Sequence, residues 1–198
     1  MSEPALPHAS VFIATSLDGF IARDDGAIDW LEQWSGDGDC GYSDFIASVD
    51  TLVLGRASFE KVLTFETWPY AGVRVVVLSS GSPDIPDALR GSVEILNLPP
   101  ILCLRQLATT GSRRVYVDGG LTIQRFLRAG AIQDLILTRV PVLLGSGRPL
   151  FGELANDMVW THLETTTYPD GLVQSRYRIA PSTNERSAMA NSHDGAQR

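Results

Sequence analysis

Cysteine and histidine are scarce in this chain, which excludes several kinds of site. Cys40 and Cys103 stand far apart and form no Cys-x-x-Cys pair, so we expect two free thiols in a reducing compartment. The three histidines, His8, His162 and His193, do not combine with them into a zinc ligand set. They also leave no base for a Ser–His or Cys–His nucleophile, so we expect neither a bound metal nor a hydrolase of that type.

Long apolar runs and an excess of positive charge are absent as well. No run approaches the roughly 18 residues that span a membrane, and residues 1–9 lack the basic and apolar regions of a signal peptide. The formal net charge of −7 argues against nonspecific binding to nucleic acid or to an anionic membrane. We therefore expect a cytoplasmic protein whose partner is a small molecule.

Apolar periodicity defines one folded body. It is missing from residues 1–9 and again from Pro181 onward, so we expect a flexible N-terminal arm (1–9), one domain (10–180) and a disordered tail (181–198). Within the body, β-rich runs alternate with helical patterns, and only strands follow residue 130. This order predicts a single-domain α/β fold with a central, mostly parallel sheet, antiparallel strands at its C-terminal end and helices on both faces.

The element boundaries follow from the same patterns. The predicted strands span residues 11–15, 51–54, 74–78, 93–96, 115–117, 134–142, 158–167 and 172–179. The predicted helices span residues 42–49, 58–63, 101–109 and 122–128. Pro169-Asp170-Gly171 is a strong turn signal between the last two strands. Pro141 predicts a bulge or an edge position within its strand.

A glycine pair stands where one apolar strand passes into a helix. Gly119 and Gly120 follow the run Val115–Val117 and precede a helical pattern. Bare backbone N–H groups together with the positive end of a helix form a cradle for an anion. The pair therefore indicates a phosphate-bearing ligand, most plausibly a dinucleotide, while an ordinary tight turn is the alternative.

Two further strand ends carry polar residues. Gly55 and Arg56 follow a buried strand, and Ser58 is expected to be the N-cap of the next helix. Arg56 can pair with a phosphate, and Ser79 and Ser80 can hydrogen-bond a phosphate or a ribose. The alternatives are a well-made helix start with an exposed arginine, and serines of an ordinary turn.

The first strand also ends in polar residues, here Asp18 and Gly19. In open α/β sheets, ligands bind at the carboxyl ends of the strands. Four such motifs at four strand ends are a stronger indication of a binding site than any one of them.

Taken in order, these motifs resemble the dihydrofolate-reductase-like superfamily, and most closely the reductase domain of the bifunctional riboflavin-biosynthesis deaminase–reductase and its stand-alone relatives. The resemblance covers about residues 10–179. The segments that carry it are Ser16–Ala22 (SLDGFIA), Asp29–Leu31 (DWL), Leu54–Glu60 (LGRASFE), Val117–Gly120 (VDGG) and Pro141–Phe151 (PVLLGSGRPLF).

The resemblance implies an NADPH-dependent reductase that forms a homodimer. The substrate would be 5-amino-6-(5-phosphoribosylamino)uracil or a related small molecule, reduced at the sugar carbon. The residues implied to bind the cofactor are Ala14, Gly55, Arg56, Ser58, Leu78, Ser79, Ser80, Gly119, Gly120, Leu121 and Thr122. The Gly119–Gly120 peptide bond is often cis in such proteins. Asp18, Gly19 and Trp30 are expected at the substrate, with Asp18 and Asp118 as catalytic residues.

Several alternatives stay open at this point. The alternative for Asp18 is the aspartate of an Asp-Gly turn, and the alternative for Trp30 is a core tryptophan. Asp118 stands where the riboflavin reductases usually carry glutamate, so the shorter acid puts its role in doubt. A dihydrofolate reductase or a broad-specificity reductase is the second hypothesis. A nucleotide-binding module without catalysis is the third.

Overall fold

Aliphatic strands form the centre of the fold, as the computed structural model shows for residues 4–34 and 38–180. The described residues form two 3-10 helices, Asp29–Trp34 and Asp87–Leu89, together with four α-helices and ten β-strands. In chain order these are β1 His8–Thr15, β2 Phe20–Ala22, α1 Tyr42–Ala47, β3 Thr51–Gly55, α2 Arg56–Val62, β4 Arg74–Leu78, β5 Val93–Leu96, α3 Pro100–Thr109, β6 Arg114–Asp118, α4 Gly120–Arg128, β7 Asp134–Arg139, β8 Arg148–Pro149, β9 Trp160–Thr167 and β10 Val173–Ile179.

The main sheet has the strand order β5-β4-β3-β6-β1-β7-β10-β9. In this order, all neighbours among the first six strands, β5 through β7, pair in parallel. Strands β10 and β9 then add antiparallel pairs beyond β7. Continuous aliphatic runs such as Val75–Val77 are fully buried, which is typical of parallel strands covered on both faces. The predicted sheet, with its antiparallel C-terminal strands, is confirmed.

Helices cover both faces of this sheet, as predicted. One core is built from α3 and α4 against the sheet and includes Leu104, Leu107, Ile123 and Phe126. The other lies under α1 and α2. Its buried members include Phe45, Leu52, Leu54, Phe59, Val62, Tyr70, Val75, Val77 and Tyr116. Since both faces of the sheet are covered, the ends of the strands are the part of the sheet left open to a ligand.

Some predicted boundaries were wrong. The first strand begins at His8, inside the segment expected to be an arm, because the N–H of His8 donates to the carbonyl of Arg113 and Ala9 is fully buried. Strand β7 ends at Arg139, before Pro141, which has no N–H to donate. The short pair of β2 and β8, a two-stranded sheet of its own, was not predicted.

Three further expectations concern the cysteines, membrane spans and the two ends of the chain. Cys40 and Cys103 are free thiols, as predicted. Among the described residues, no helix is long and apolar enough to cross a membrane. The expected tail, 181–198, and residues 1–3 of the expected arm lie outside the described residues.

Candidate cofactor and substrate site

The topology places a crevice between the carboxyl ends of β3 and β6. Strand β3 continues through α2 to β4 on one side, whereas β6 continues through α4 to β7 on the other. Because the two neighbouring strands pass into helices that diverge, the ends of these strands form a switch point, where α/β sheets bind ligands. Gly55 closes β3, and Gly119 follows β6 directly. Two of the four predicted motifs therefore meet here.

The two glycine motifs fit against each other so closely that side chains have no room. A Cβ atom at Gly55 would lie 2.8 Å from Oγ1 of Thr122, and one at Gly119 would overlap Oγ of Ser58. Gly119 also has a φ of +86°, which side-chain-bearing residues rarely adopt. The result is a seam of bare backbone flanked by two hydroxyl groups, at the N-terminus of α4.

Ser58 has a different role from the one expected. The N-cap of α2 is Gly55, with no side-chain cap, so the prediction of Ser58 as N-cap was wrong. Strand β3 passes into α2 without a loop, which places Ser58 inside the first turn. From there its hydroxyl faces Gly119.

Gly120 lies under the small sheet formed by β2 and β8. A Cβ atom at this position would lie 2.7 Å from Cδ1 of Ile21 and 3.7 Å from the carbonyl oxygen of Pro149. The Gly119–Gly120 bond is trans, as are the other peptide bonds of the described residues, so the expected cis bond is corrected here. The positive φ of Gly119 makes the turn instead.

Arg56 and Ser79 lie near each other beside the glycine seam. A Cβ atom at Gly81 would be 3.9 Å from Nη1 of Arg56 and 3.8 Å from Oγ of Ser79, and the N–H of Gly81 donates to that Oγ at 3.0 Å. The Arg56 side chain is 60% exposed, and its ion pair with Glu60 is 3.7 Å long. Such a loose surface pair is weak, so the guanidinium can engage another anion.

A gap separates the ends of β1 and β6. Their ladder stops at the pair Ser10–Tyr116, although β1 continues to Thr15. The hydroxyl of Tyr116 reaches across the gap and donates to the carbonyl of Phe12 at 2.9 Å. Ala14, half-buried on β1, stands at the open end, and its pairing with Thr138 of β7 holds it there. This opening adjoins the glycine seam, because Asp118 at the end of β6 directly precedes Gly119.

Asp118 ends β6 beside this gap. Its register partner on β3 is Leu54, so its side chain points to the same apolar face as Leu54 and Tyr116. The residue is half-buried, and burial raises the pKa of its carboxyl group above the usual value. The N–H of Gly119 and the hydroxyl of Tyr116 act against this shift, yet the pKa stays raised.

The Asp18 carboxylate joins two loops. It accepts hydrogen bonds from the Ser16 hydroxyl at 2.5 Å, the N–H of Gly145 at 2.8 Å and the N–H of Leu144 at 3.2 Å. These hydrogen bonds, with that from Ser16 the strongest, hold the pKa of Asp18 below its usual range. This geometry favours the alternative interpretation, in which Asp18 is a turn residue that fixes the loops around the site.

Trp30 lies in a small core, with Val140 and Leu172 as its buried neighbours. It is only 3% exposed, which favours a core tryptophan over a stacking platform for a substrate. Ala14 packs against the same core, so Trp30 supports the floor of the gap from behind.

The remaining predicted residues lie at or just beyond the carboxyl ends of their strands. Leu78 pairs with Gly55 across β3 and β4, and Ser80 is exposed one residue beyond Ser79. Leu121 is 70% exposed on the first turn of α4. Gly19 makes the turn after β1 with a φ of +85°. Ile21 and Gly81 were missed as site residues, although the SLDGFIA segment of the sequence already marked the first of them.

Comparison with known proteins gives the family of this chain. The family model described as the RibD C-terminal domain matches residues 7–174. The uncharacterized protein YwjB of Bacillus subtilis (strain 168) is 41% identical over 150 residues, which are 74% of this chain and 84% of YwjB.

Solved structures show the same architecture. A candidate riboflavin biosynthesis protein from Shewanella sp. PV-4 superposes with a TM-score of 0.83 at 36% identity, over 88% of this chain and 99% of the other. Dihydrofolate reductase from Enterococcus faecalis, solved with NADP(H), gives a TM-score of 0.61 at 17% identity, over 88% and 97% of the two chains. This chain therefore belongs to the RibD C-terminal domain family and has the α/β fold of the dihydrofolate reductases.

Proposed function

We propose that this protein is an NADPH-dependent reductase of the riboflavin-biosynthesis type, acting on 5-amino-6-(5-phosphoribosylamino)uracil or a related small molecule. The observation that carries the proposal is the glycine seam between β3 and β6. Its glycines leave room only for backbone, and Ser58 and Thr122 supply hydroxyl groups beside it. Backbone N–H groups at the start of α4 favour an anion, as the pyrophosphate of a dinucleotide requires.

The residues present fit this cofactor at both ends. Arg56 and Ser79, which lie together at Gly81, would bind the 2′-phosphate that distinguishes NADPH from NADH. The gap beside Ala14 would hold the nicotinamide ring. When bound, NADPH supplies a hydride to an acceptor carbon, and the protein supplies binding and orientation.

Arg56→Ala tests this assignment. Loss of a charge-assisted contact should weaken NADPH binding about tenfold to a hundredfold, because hydrogen bonds to charged groups contribute roughly 1.5–3 kcal/mol. Binding of NADH, which has no 2′-phosphate, should change little. Titration of each variant with NADPH and NADH, followed by nicotinamide fluorescence, measures both affinities.

The matched control is Arg113→Ala. Arg113 is also exposed, but it precedes β6 and so lies at the opposite end of the sheet. Equal losses of NADPH and NADH affinity in Arg56→Ala would remove Arg56 from the 2′-phosphate role. Absence of binding of either nucleotide to the unmodified protein would refute the reductase proposal as a whole. The homodimer stays a prediction, which size-exclusion chromatography with light scattering tests.

A further inference from the structure

An open cavity of about 340 Å³ lies between α2 and the turn that follows β2. Its lining comes from residues 25–27, Ala57, Glu60, Lys61 and Arg148. The cavity shares two elements with the glycine seam, because α2 also carries Ser58 and β8 also carries Pro149, and both of these lie beside the seam glycines. Its volume falls within the range of small-molecule sites, about 300–1,000 Å³. The cavity is therefore large enough for part of a small ligand and adjoins the seam.

The guanidinium group of Arg148 is held in place on one side of this cavity. Its Nε and Nη2 atoms donate to the carbonyl oxygen of Asp24 at 3.3 and 3.2 Å. The group also lies against Gly26, where a Cβ atom would be 3.1 Å from Nη1 and 3.2 Å from Cζ and Nη2. A guanidinium has five N–H donors, and two are used here, so about three remain for a ligand.

The two cations of the cavity lack a carboxylate partner. Among the ion pairs of the described residues, none involves Lys61 or Arg148. The two acidic residues of the lining have partners of their own. Asp25 accepts the backbone N–H two residues further on at 2.8 Å, and Glu60 pairs with Arg56 at 3.7 Å. Two positive charges thus line the cavity without a counter-ion.

A second cavity, of about 550 Å³ at the amino ends of β4 and β5, has the opposite arrangement. It is also lined by two cations, Arg74 and Arg90. Here each cation is bound to a carboxylate, Arg74 to Glu94 and Arg90 to Asp87. Because these charges are already compensated, this cavity offers little attraction to an anion and provides a control for the first one.

We propose that Lys61 and Arg148 form a subsite for a phosphate monoester, carried by the acceptor that the nicotinamide cofactor reduces. This inference rests on the proposed reductase function. The ammonium group acts as a point charge, and the fixed guanidinium offers paired N–H donors, which are two complementary ways of binding a phosphate. The seam and Arg56 already account for the phosphates of the dinucleotide, so the cavity is left to the other reactant.

The contact acts on binding rather than on the chemical step. A phosphate at the end of the acceptor is held equally in the ground state and in the transition state. An interaction of this kind changes KM and leaves kcat nearly unchanged. One lost charge-assisted contact should raise KM about tenfold, because hydrogen bonds to charged groups contribute roughly 1.5–3 kcal/mol.

The first test needs neither cofactor nor reduction and uses the full-length protein. Pyridoxal 5′-phosphate, an aldehyde with a phosphate monoester, forms an imine with a lysine amine, and borohydride reduces the imine to a stable adduct. Because Lys61 is the only lysine of the chain, peptide mass spectrometry follows labelling at one side chain. We expect labelling about tenfold faster than with 5-deoxypyridoxal, which lacks the phosphate, and protection by inorganic phosphate at constant ionic strength.

Arg148→Gln and Arg90→Gln form the matched pair for this test. Both remove one exposed arginine that lines a cavity, but Arg90 lies at the other end of the sheet and is paired with Asp87. Arg148→Gln should abolish most of the preference for the phosphorylated aldehyde, and Arg90→Gln should leave it unchanged. Equal labelling by the two aldehydes in the unmodified protein, or equal effects of the two variants, overturns the proposal.

The second test separates the two sources of a phosphate. Lys61→Gln and Arg148→Gln are titrated with NADPH, followed by nicotinamide fluorescence. If the subsite serves the acceptor, both variants should bind NADPH within about twofold of the unmodified protein. A loss of about tenfold in both would show that the cavity holds a phosphate of the cofactor, and the proposal would then be wrong.

Kinetics test the effect on the acceptor itself. With NADPH and 5-amino-6-(5-phosphoribosylamino)uracil, Lys61→Gln and Arg148→Gln should each raise KM about tenfold with little change in kcat. The KM of the dephosphorylated acceptor should not change. Unchanged KM for the phosphorylated acceptor overturns the proposal. If neither acceptor is reduced, the labelling experiment alone decides it, whereas failure of NADPH to bind the unmodified protein refutes the reductase function and is read separately.

Discussion

Gly119→Ala probes the seam between β3 and β6 most directly. Two separate costs follow from the structure. Forcing a side-chain-bearing residue to keep the φ of +86° costs about 1–3 kcal/mol. The added methyl group would also overlap Oγ of Ser58, and overpacking of this kind costs about 1–3 kcal/mol more. Their sum, about 2–6 kcal/mol, is a large part of a typical total stability of about 5–15 kcal/mol.

Gly111→Ala separates these two costs. Gly111 also has a positive φ, +92°, but a Cβ atom there would meet nothing within 4 Å. This control should therefore lose only the backbone part. Urea unfolding followed by circular dichroism gives the free energy of unfolding of each variant.

Ser58→Ala completes the test as a double-mutant cycle. In the Gly119→Ala background, removing the hydroxyl from Ser58 should recover most of the stability lost to the overlap. The Cβ of residue 58, 3.3 Å from the added methyl group, still limits this recovery. Equal losses in Gly119→Ala and Gly111→Ala, together with no recovery in the double variant, would refute the close contact between the two helix starts.

Two further predictions concern carboxylates outside the seam. Asp134 is 17% exposed and accepts hydrogen bonds from His8 and Arg178, so Asp134→Asn should lower the free energy of unfolding by about 1–2 kcal/mol at pH 7. Because these contacts lower the pKa of Asp134, the stability it contributes is complete above the ordinary pKa of about 3.9 and is lost as the pH falls through the lowered pKa. The difference in unfolding free energy between the two proteins should therefore vanish in urea melts at acid pH. A difference that stays constant with pH would contradict this. Asp18→Asn should speed amide hydrogen exchange at Gly145, whose N–H loses its carboxylate acceptor, and unchanged protection would show that Asp18 does not hold the loop.

Local signals in the sequence identified the elements and the edge that carries the site. Buried runs such as Val75–Val77 indicate parallel strands because both faces must be apolar, and this pattern is visible without coordinates. Glycine and hydroxyl residues directly after those runs are also visible in the sequence, and they mark the strand ends. The Gly55–Arg56 and Gly119–Gly120 motifs were therefore found at the correct strand ends.

Other assignments needed the packing of distant segments. Asp18 and Trp30 have residue types suited to catalysis and stacking, but their partners, Gly145 and Val140, are more than one hundred positions away in the chain. The start of β1 at His8 likewise depends on pairing with Arg114. No local pattern encodes such contacts, so the sequence left both interpretations of Asp18 and Trp30 open.

The sequence by itself determined the α/β class, the helices on both faces and the edge of the sheet where the motifs lie. It did so because hydrophobic periodicity and glycine positions are local properties of the chain. Only the tertiary structure decided that Ser58 faces Gly119, that Arg56 lies beside Ser79 at Gly81, and that Trp30 lies in a core with Val140 and Leu172. Those relations depend on strand order and helix packing, which bring together side chains that are remote in sequence.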